Sequence, residues 1–401
     1  MSKGWRKIPL ATVARLKIET VAVTDGQKYR FAGVYNAGKG LFDRGMVDAS
    51  ATSYARLHVL RSDRIVMRKL TASEGPITVV GPEFDGYVVS PEFPTFDIDT
   101  AQLLPEYMSL ICQRPTFWGE LETRAIGSVQ RRKRVSPSQL LTVPIPLPDL
   151  SHQRRIVDLI TSFDSYVKTS TAAAVAASAA LQAMRTKCFR APDRRTVRLD
   201  TVAEVTIGRQ RSPKHQDGEH MTPYLRSANV KDGRLDLSDV LAMNFSPSAK
   251  AVFTLEYGDV LISEGSASEQ QVGASAVWHD ELPSPVCFQN TLIRLRAQPH
   301  GYNAEFLYHW ARWAHKSGLL SSIASGTNIK HIGSQRLAAV PVPVFTAEEQ
   351  RQWCDLLDSL QAVESSDRSV VTTATEARQA AIENLLDGLH KIPDSYDTIL
   401  S

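Results

Sequence analysis

The chain has 401 residues and a formal net charge of +3, enough for two or three domains that each bury a core. Its hydrophobic share of 43% and charged share of 22% are ordinary for a globular protein and exclude a disordered or fibrous chain. So small a net charge permits nucleic-acid binding without arguing for it, because local clustering matters more than the sum. Four cysteines, Cys112, Cys188, Cys287 and Cys354, lie far apart with no Cys-x-x-Cys pair, the usage of reduced thiols and not of a zinc site. The N-terminus has no apolar signal segment, and the alanine-rich run 171–183 is too short to span a bilayer. The expectation is a cytoplasmic protein.

Residues from about 8 to about 138 predict an irregular α/β unit. β-rich runs recur at Tyr29–Val34, Arg64–Met67, Ile77–Val80, Tyr87–Val89 and Thr95–Ile98, punctuated by turn formers, and Glu106–Cys112 reads as a helix. Gly33-Val-Tyr-Asn-Ala-Gly38-Lys39-Gly40 only approximates a phosphate loop: Gly40 stands where magnesium needs a hydroxyl, and no helix opening follows. Arg131-Arg132-Lys133-Arg134 closes the unit. Four adjacent cations are often plain solvated surface, but these follow Gly127-Ser128, a landmark that recurs in the second half.

Next comes a stretch that the chain uses twice. Val143 to Ile160 and Val340 to Leu357 share seven identities at a constant offset of 197 residues: Val143/Val340, Pro144/Pro341, Pro146/Pro343, Gln153/Gln350, Arg154/Arg351, Asp158/Asp355 and Leu159/Leu356. Pro-x-Pro cannot be helical, since each proline fixes φ and pushes its predecessor towards extended geometry. Asp149 and Thr346 then stand at helix starts, and Thr346-x-x-Glu349 is a capping-box pattern. Each half therefore ends in an extended strap that turns into a helix, the mark of an internal duplication.

Long heptad patterns follow both straps. In the first, Ile156, Ile160, Phe163, Val167, Ser170, Ala174, Ala177, Leu181, Met184 and Cys188 alternate by four and three; in the second, Trp353, Leu356, Leu360, Val363, Asp367, Val370, Ala374, Ala377, Ala381 and Leu385 do so almost throughout. Roughly 40 residues at about 1.5 Å each give about 60 Å of helix. Neither stripe is buried by its own helix, so mutual pairing is expected, with Ser170 and Asp367 as polar register markers. Such a pair acts as a ruler between two globular units and suits a ligand with two separated half-sites, such as duplex DNA. Two separate helices, each packed on its own domain, are the plainer alternative.

The second unit, from about 197 to about 334, repeats the order of the first. Leu10-Ala-Thr-Val13 corresponds to Leu199-Asp-Thr-Val202, Thr71-Ala-Ser-Glu74 to Ser266-Ala-Ser-Glu269, Pro105-Glu-Tyr107 to Ala304-Glu-Phe306, and Gly127-Ser128 to Gly326-Thr327. Candidate phosphate or base-edge contacts are Arg131, Arg132, Lys133 and Arg134, their counterparts Asn328, Lys330 and His331, and the basic loop of Arg209, Arg211 and Lys214, with Lys69 a weaker candidate beside the repeated element. There is no metalloprotease helix, nucleophile elbow, dinucleotide fingerprint or nuclease cluster, and no Asn-Pro-Pro-aromatic or Asp-Pro-Pro-aromatic tetrad. The chain reads as non-catalytic.

Taken together, these residues resemble the specificity subunits of type I restriction–modification systems. Arg64-Ile-Val-Met-Arg-Lys-Leu-Thr-Ala-Ser-Glu-Gly75, Glu83-Phe-Asp-Gly-Tyr-Val-Val-Ser-Pro-Glu-Phe-Pro94 with Phe96, Gly258-Asp-Val-Leu-Ile262, and the strap leading to Gln153 look like that family's pieces, duplicated and in order. Ser62-Asp63-Arg64 departs from the Gly-Asp-hydrophobic form. The resemblance implies an α+β fold: two irregular α/β target-recognition domains, separated and joined by two long antiparallel helices in a coiled coil, with an internal pseudo-twofold repeat. The expected boundaries are 1–148 and 191–345 for the recognition domains, 149–190 and 346–392 for the helices, and 393–401 for a tail. The resemblance further implies a non-enzymatic subunit that reads a bipartite, asymmetric site on double-stranded DNA. Its long helices would bind two modification (methyltransferase) subunits, and motor-nuclease subunits are possible further members of the complex. No cofactor is expected in this chain; S-adenosylmethionine belongs to the partners. Alternatives are a recognition subunit of a related anti-phage system with another effector, a self-sufficient DNA-modifying enzyme, and a coiled-coil scaffold. Reversing the charge of residues Arg131 to Arg134 is expected to weaken duplex binding and flatten its dependence on salt. Filter binding across a salt series checks this, and an unchanged affinity and slope would remove that loop from the interface.

Overall fold

Each half of the chain closes on itself by pairing its first strand with its own strap. In a computed structural model that describes residues 5–71, 74–127, 133–266, 268, 271–393 and 395–396, Lys7–Pro9 runs antiparallel to Pro144–Pro146, and Thr196–Arg198 to Pro341–Pro343. The residue between the prolines, Ile145 or Val342, faces Ile8 or Val197 and is buried. The prolines that flank it occupy a two-stranded ribbon, where a missing ladder donor is tolerated. The straps are fastened alike at both ends: Leu10 N–H donates to Val143 O and Leu199 N–H to Val340 O, both at 2.9 Å, while Leu147 and Val344 donate to Arg6 and Arg195 at 3.0 and 2.9 Å.

The chain divides into two compact units, residues 1–170 with 371–401, and residues 171–370. The long helices, Leu150–Phe189 and Ala347–Leu386, are 40 residues each, and each contributes one part to either unit. Within the first unit a four-stranded antiparallel sheet orders Ala14–Leu16, Thr95–Ile98, Ile65–Met67 and Ile77–Val79. Within the second, the corresponding sheet orders Ala203–Ile207, Leu292–Ala297, Val260–Ser263 and Ser275–Val277. The connectivity is the same although the lengths differ. Beyond these sheets the units part: the first adds a five-stranded sheet that includes Lys28–Val34 and Leu41–Asp48, the second a three-stranded one around Met221–Leu225. Leu41–Asp48 was not expected from the sequence; it has no clean alternation, its residues are half-buried or exposed, and the pairing shifts register beside Gly45, where φ is +82°.

At the first turn of each long helix a glutamine is fully or almost fully buried. Gln153 Oε1 accepts from Leu104 N–H at 2.9 Å, and its Nε2 donates to Gln102 O and Pro148 O at 2.8 and 2.9 Å. Gln350 Oε1 accepts from Asn303 N–H at 2.8 Å, and its Nε2 donates to Gly301 O and Phe345 O at 3.1 and 3.3 Å. Leu104 and Asn303 are the caps of helices Pro105–Cys112 and Ala304–Lys316, so each amide ties the start of a domain helix to the start of a long helix. The long-helix starts are capped as expected. Asp149 accepts from the Ser151 hydroxyl and His152 N–H, which hold its carboxyl well below the usual range, and Thr346 and Glu349 form the reciprocal capping box.

The helix halves pair antiparallel inside each unit. Asp164 meets Arg378 in the first, and Arg185 meets Gln361 at 2.7 Å in the second. Ile156, Ile160, Leu181 and Leu385 are buried in the cores, Phe163, Trp353 and Leu360 pack against them half-buried, and Val167 is half-buried. Four seam expectations need correction: Leu356, Val363 and Val370 are 42%, 53% and 36% exposed, and Ala377 is exposed as well. The inward line on the second helix runs instead through Gln350, Cys354, Leu357, Gln361 and Glu364. It keeps the three-and-four spacing but admits polar side chains, which a search for apolar residues steps over.

The cores also differ. In the first unit Leu110 and Ile382 belong to one apolar cluster. At the matching places of the second, His309 and Arg185 are buried, and Arg185 donates to His309 Nδ1 at 3.1 Å while His309 Nε2 lies 2.9 Å from Asp358. Arginine can only donate, so Nδ1 accepts, Nε2 carries the proton given to Asp358, and the imidazole is neutral. Burial accordingly depresses the His309 pKa and pushes that of Arg185 down to about 10.

Gln153→Ala or Gln350→Ala leaves one buried N–H and two carbonyls short of a partner and is expected to destabilise the unit concerned by about 2–4 kcal/mol; amide hydrogen exchange resolved by unit reads this. A depressed folded pKa means that the unfolded state binds the extra proton. The second unit is therefore expected to keep full stability above about pH 6.5 and to lose it as the pH falls below that value. Denaturant titrations between about pH 5 and 8 check the slope, which Arg185→Ile with His309→Leu should reduce.

Candidate nucleic-acid interface

Two loops meet on each unit in the same way. In the first, the strand Ile65–Met67 runs on through Lys69 to Leu70, which bridges Arg134, and Arg134 in turn bridges Ile126. Val135 N–H donates to Lys69 O at 3.0 Å, Thr71 N–H to Lys133 O at 3.1 Å, and Ile126 and Arg134 exchange two hydrogen bonds of 2.9 Å. In the second, Gly265–Ser266 pairs with Lys330–His331, Ile332 N–H donates to Glu264 O at 2.8 Å, and Ser325 and His331 exchange bonds of 3.0 and 2.8 Å. Gly127 and Gly326 stand just after Ile126 and Ser325 with φ values of +146° and +132°, and at Gly326 a side chain would collide with Ile329 O. That is why the glycine recurs while its neighbours change.

The side chains on this shared backbone differ in sign. Lys69 and Arg134 both face Glu92, at 3.7 and 3.2 Å. The matching positions in the second unit are Glu264, His331 and Thr291, as the parallel bonds Lys69 N–H to Glu92 O (3.1 Å) and Glu264 N–H to Thr291 O (2.9 Å) establish. There Glu264 is the buried acid, accepting from His331 Nδ1 at 2.7 Å and from Gly333 N–H at 3.3 Å. Glu92, Glu264 and Thr291 were not singled out from the sequence; the near-constant offset that joins Lys69 to Glu264 and Arg134 to His331 was the available signal.

Other candidates separate by packing. Arg209 is half-buried, donates to Asn244 O at 2.7 Å and lies over the Phe245 ring at 5.1 Å, which makes it a support for its loop. Arg211 and Lys214 are exposed beside it, and Asn328 is exposed between Ser325 and His331, ahead of the half-buried Lys330. Lys133 is half-buried; Arg131 and Arg132 lie outside the described residues, as do Ala72, Ser73, Ala267 and Glu269 of the repeated element. The near-miss phosphate loop has a packing role: Ala37 and Gly38 N–H donate to Glu74 and Gly75 at 2.8 and 2.9 Å, and a Cβ on Gly38 would strike Cys112 O. Among the described residues no helix is long and apolar enough to cross a membrane, and no group of three or more His, Cys, Asp or Glu side chains is placed to hold a metal ion.

The structure is thus a duplicated scaffold that carries matched loop pairs with unlike side chains. Residues 193–368 match the family described as the type I restriction modification DNA specificity domain. Two curated relatives are the StySPI specificity subunit of Salmonella potsdam and the EcoKI specificity subunit of Escherichia coli K12. Both are 24% identical, over 160 and 190 residues, which are 39% and 46% of this chain but only 33% and 39% of those proteins. In fold, a chain from a study of complex assembly and conformational transition of the type I R-M system superposes with a TM-score of 0.67 at 19% identity, covering 97% of this chain and 99% of that one. The HsdS subunit from Thermoanaerobacter tengcongensis gives 0.50 at 20% identity, with 96% and 97% covered. Residues 193–368 thus carry the type I DNA specificity domain, and the chain as a whole shares its fold with the HsdS subunit structure.

Arg211→Ala and Lys214→Ala are each expected to lower duplex affinity at all sequences and to reduce the salt slope by about one. Arg209→Ala should instead lower the melting temperature of the second unit. Fluorescence anisotropy at several salt concentrations, beside thermal unfolding, separates the two effects.

Proposed function

We propose that this chain reads a bipartite, asymmetric DNA site, one part with each unit, and is itself non-catalytic. Its long helices dock two modification subunits, which supply S-adenosylmethionine and the adenine-methylating centre; motor-nuclease subunits join when the complex restricts. One observation carries the reading. The two loop pairs share their backbone pairings but carry Lys69, Glu92 and Arg134 in one unit and Glu264, Thr291 and His331 in the other. A protein that reads a palindrome presents the same side chains twice. A repeated backbone with unlike side chains suits two unlike half-sites. The basic, exposed residues around the loops suit phosphate contacts that set orientation, with base edges read by shorter polar side chains such as Asn328.

The test is co-expression with the modification subunit of its own system, followed by mapping of methylated adenines across host DNA. The expected result is a split, asymmetric motif that is methylated only when this chain is present, and that changes when the loop residues of one unit are exchanged. A stable complex without any such motif would overturn the recognition role.

A further inference from the structure

The second unit contains a cavity of about 520 Å³ where the last turns of the first long helix pass the end of helix Ala304–Lys316; Gln182, Thr186, Arg190, Trp313, Lys316 and Ser322 help to line it. In the first unit the matching place is closed by an ion pair. Arg114, 199 residues before Trp313, is buried and donates to Glu383 at 3.0 Å and to Asp387 at 2.7 Å. Those acids stand on the second long helix, 197 residues beyond Thr186 and Arg190. The same two offsets relate Leu104 to Asn303 and Gln153 to Gln350, so the correspondence is set by the glutamine braces and not by choice.

Where the first unit sets one cation against two carboxylates, the second has an indole, a hydroxyl and a further cation. Lys316 is already paired with Asp232 at 2.5 Å, a carboxylate that it shares with Arg312, whereas Arg190 is exposed. Trp313 is only 8% exposed, yet its Nε1 has no hydrogen-bond partner, and neither has the buried Gln182 Oε1. Buried polar groups are normally paired, so two orphans on one cavity point to a group supplied from outside. Thr186 and Ser322 already spend their hydroxyl protons on Gln182 O and Leu319 O, at 2.9 and 2.7 Å. What is left is one guanidinium and one indole N–H, together with an amide oxygen that needs a donor.

We propose that this cavity receives an aspartate or glutamate side chain of a partner protein, which meets Arg190 and the Trp313 indole N–H and completes in trans the ion pair that the first unit completes within its own chain. A peptide segment also brings a backbone N–H for Gln182 Oε1, which a nucleic-acid phosphate has no means to supply. The inference rests on the reading of the chain as a subunit that docks modification subunits, and it names the chemistry of one contact.

The full-length chain is titrated calorimetrically with the modification subunit of its own system. Arg190→Glu reverses the charge, and Thr186→Glu provides an internal carboxylate one turn before Arg190, the arrangement that pairs across a helix turn. Both are expected to weaken binding by at least about tenfold. Trp313→Phe, which keeps a ring and removes the donor, should weaken it less, with melting temperature unchanged in the two glutamate variants and duplex affinity unchanged in all three. Arg190→Glu and Thr186→Glu variants that bind as tightly as the wild type would overturn the proposal. So would a loss of duplex affinity with partner binding intact, which would assign the cavity to a phosphate. Failure of the wild-type chain itself to bind would overturn the docking reading along with it.

Discussion

Everything else in the structure depends on a buried primary amide at the root of each long helix. A glutamine suits this place because one neutral side chain carries both an acceptor and a donor, so it is desolvated without burying a charge. Gln153 and Gln350 each gather three backbone groups from three segments: the strap, the loop before the domain helix, and the cap of that helix. Leaving those groups unpaired in the core is expensive, so the long helix leaves its unit along one path. The straps reinforce that path, and even unlike sequence positions converge on it. Tyr107 reaches Pro146 O, and Tyr302 reaches the equivalent Pro343 O, although Phe306 is the residue aligned with Tyr107.

With the scaffold held by this brace, the rest of each unit is free to change. Leu110 and Ile382 give way to His309 and Arg185, a buried apolar contact exchanged for a polar network in which every partner is specified by donor and acceptor. Such networks are no more stabilising than good apolar packing, but they fix one arrangement. At the loop pairs the change alters what each unit presents. Permanent cations around Glu92 are replaced by an imidazole held by a buried carboxylate. The outer sheets diverge further still, five strands against three. Duplication followed by this pattern of change separates what holds the fold from what meets a ligand.

Much of the fold was legible because its signals are local or periodic. Prolines that forbid helix, a capping box, a 197-residue offset and two heptad stripes need no knowledge of distant neighbours, and the strands and first domain helix that they frame lie where their residue types place them. The site was legible only in part. Basic loops were visible, but that Arg209 supports its loop while Arg211 lies open depends on Asn244 and Phe245, more than thirty residues away. The sequence showed that the stretch at Gly38 only approximates a phosphate loop, but not that Cys112 O is pressed against that glycine.

The sequence by itself determined the duplication, the two long helices and their capped starts, because φ restriction, capping and periodicity act within a few residues. Only the tertiary structure decided which face of the second helix turns inward, past Leu356 to Leu357 and on to Gln361 and Glu364, because burial is set by the neighbour and not by the hydrophobicity of the residue. It alone set Lys69 and Arg134 around Glu92, and Glu264 beneath His331. Those contacts join residues that lie tens of positions apart, and no local rule of spacing reaches that far.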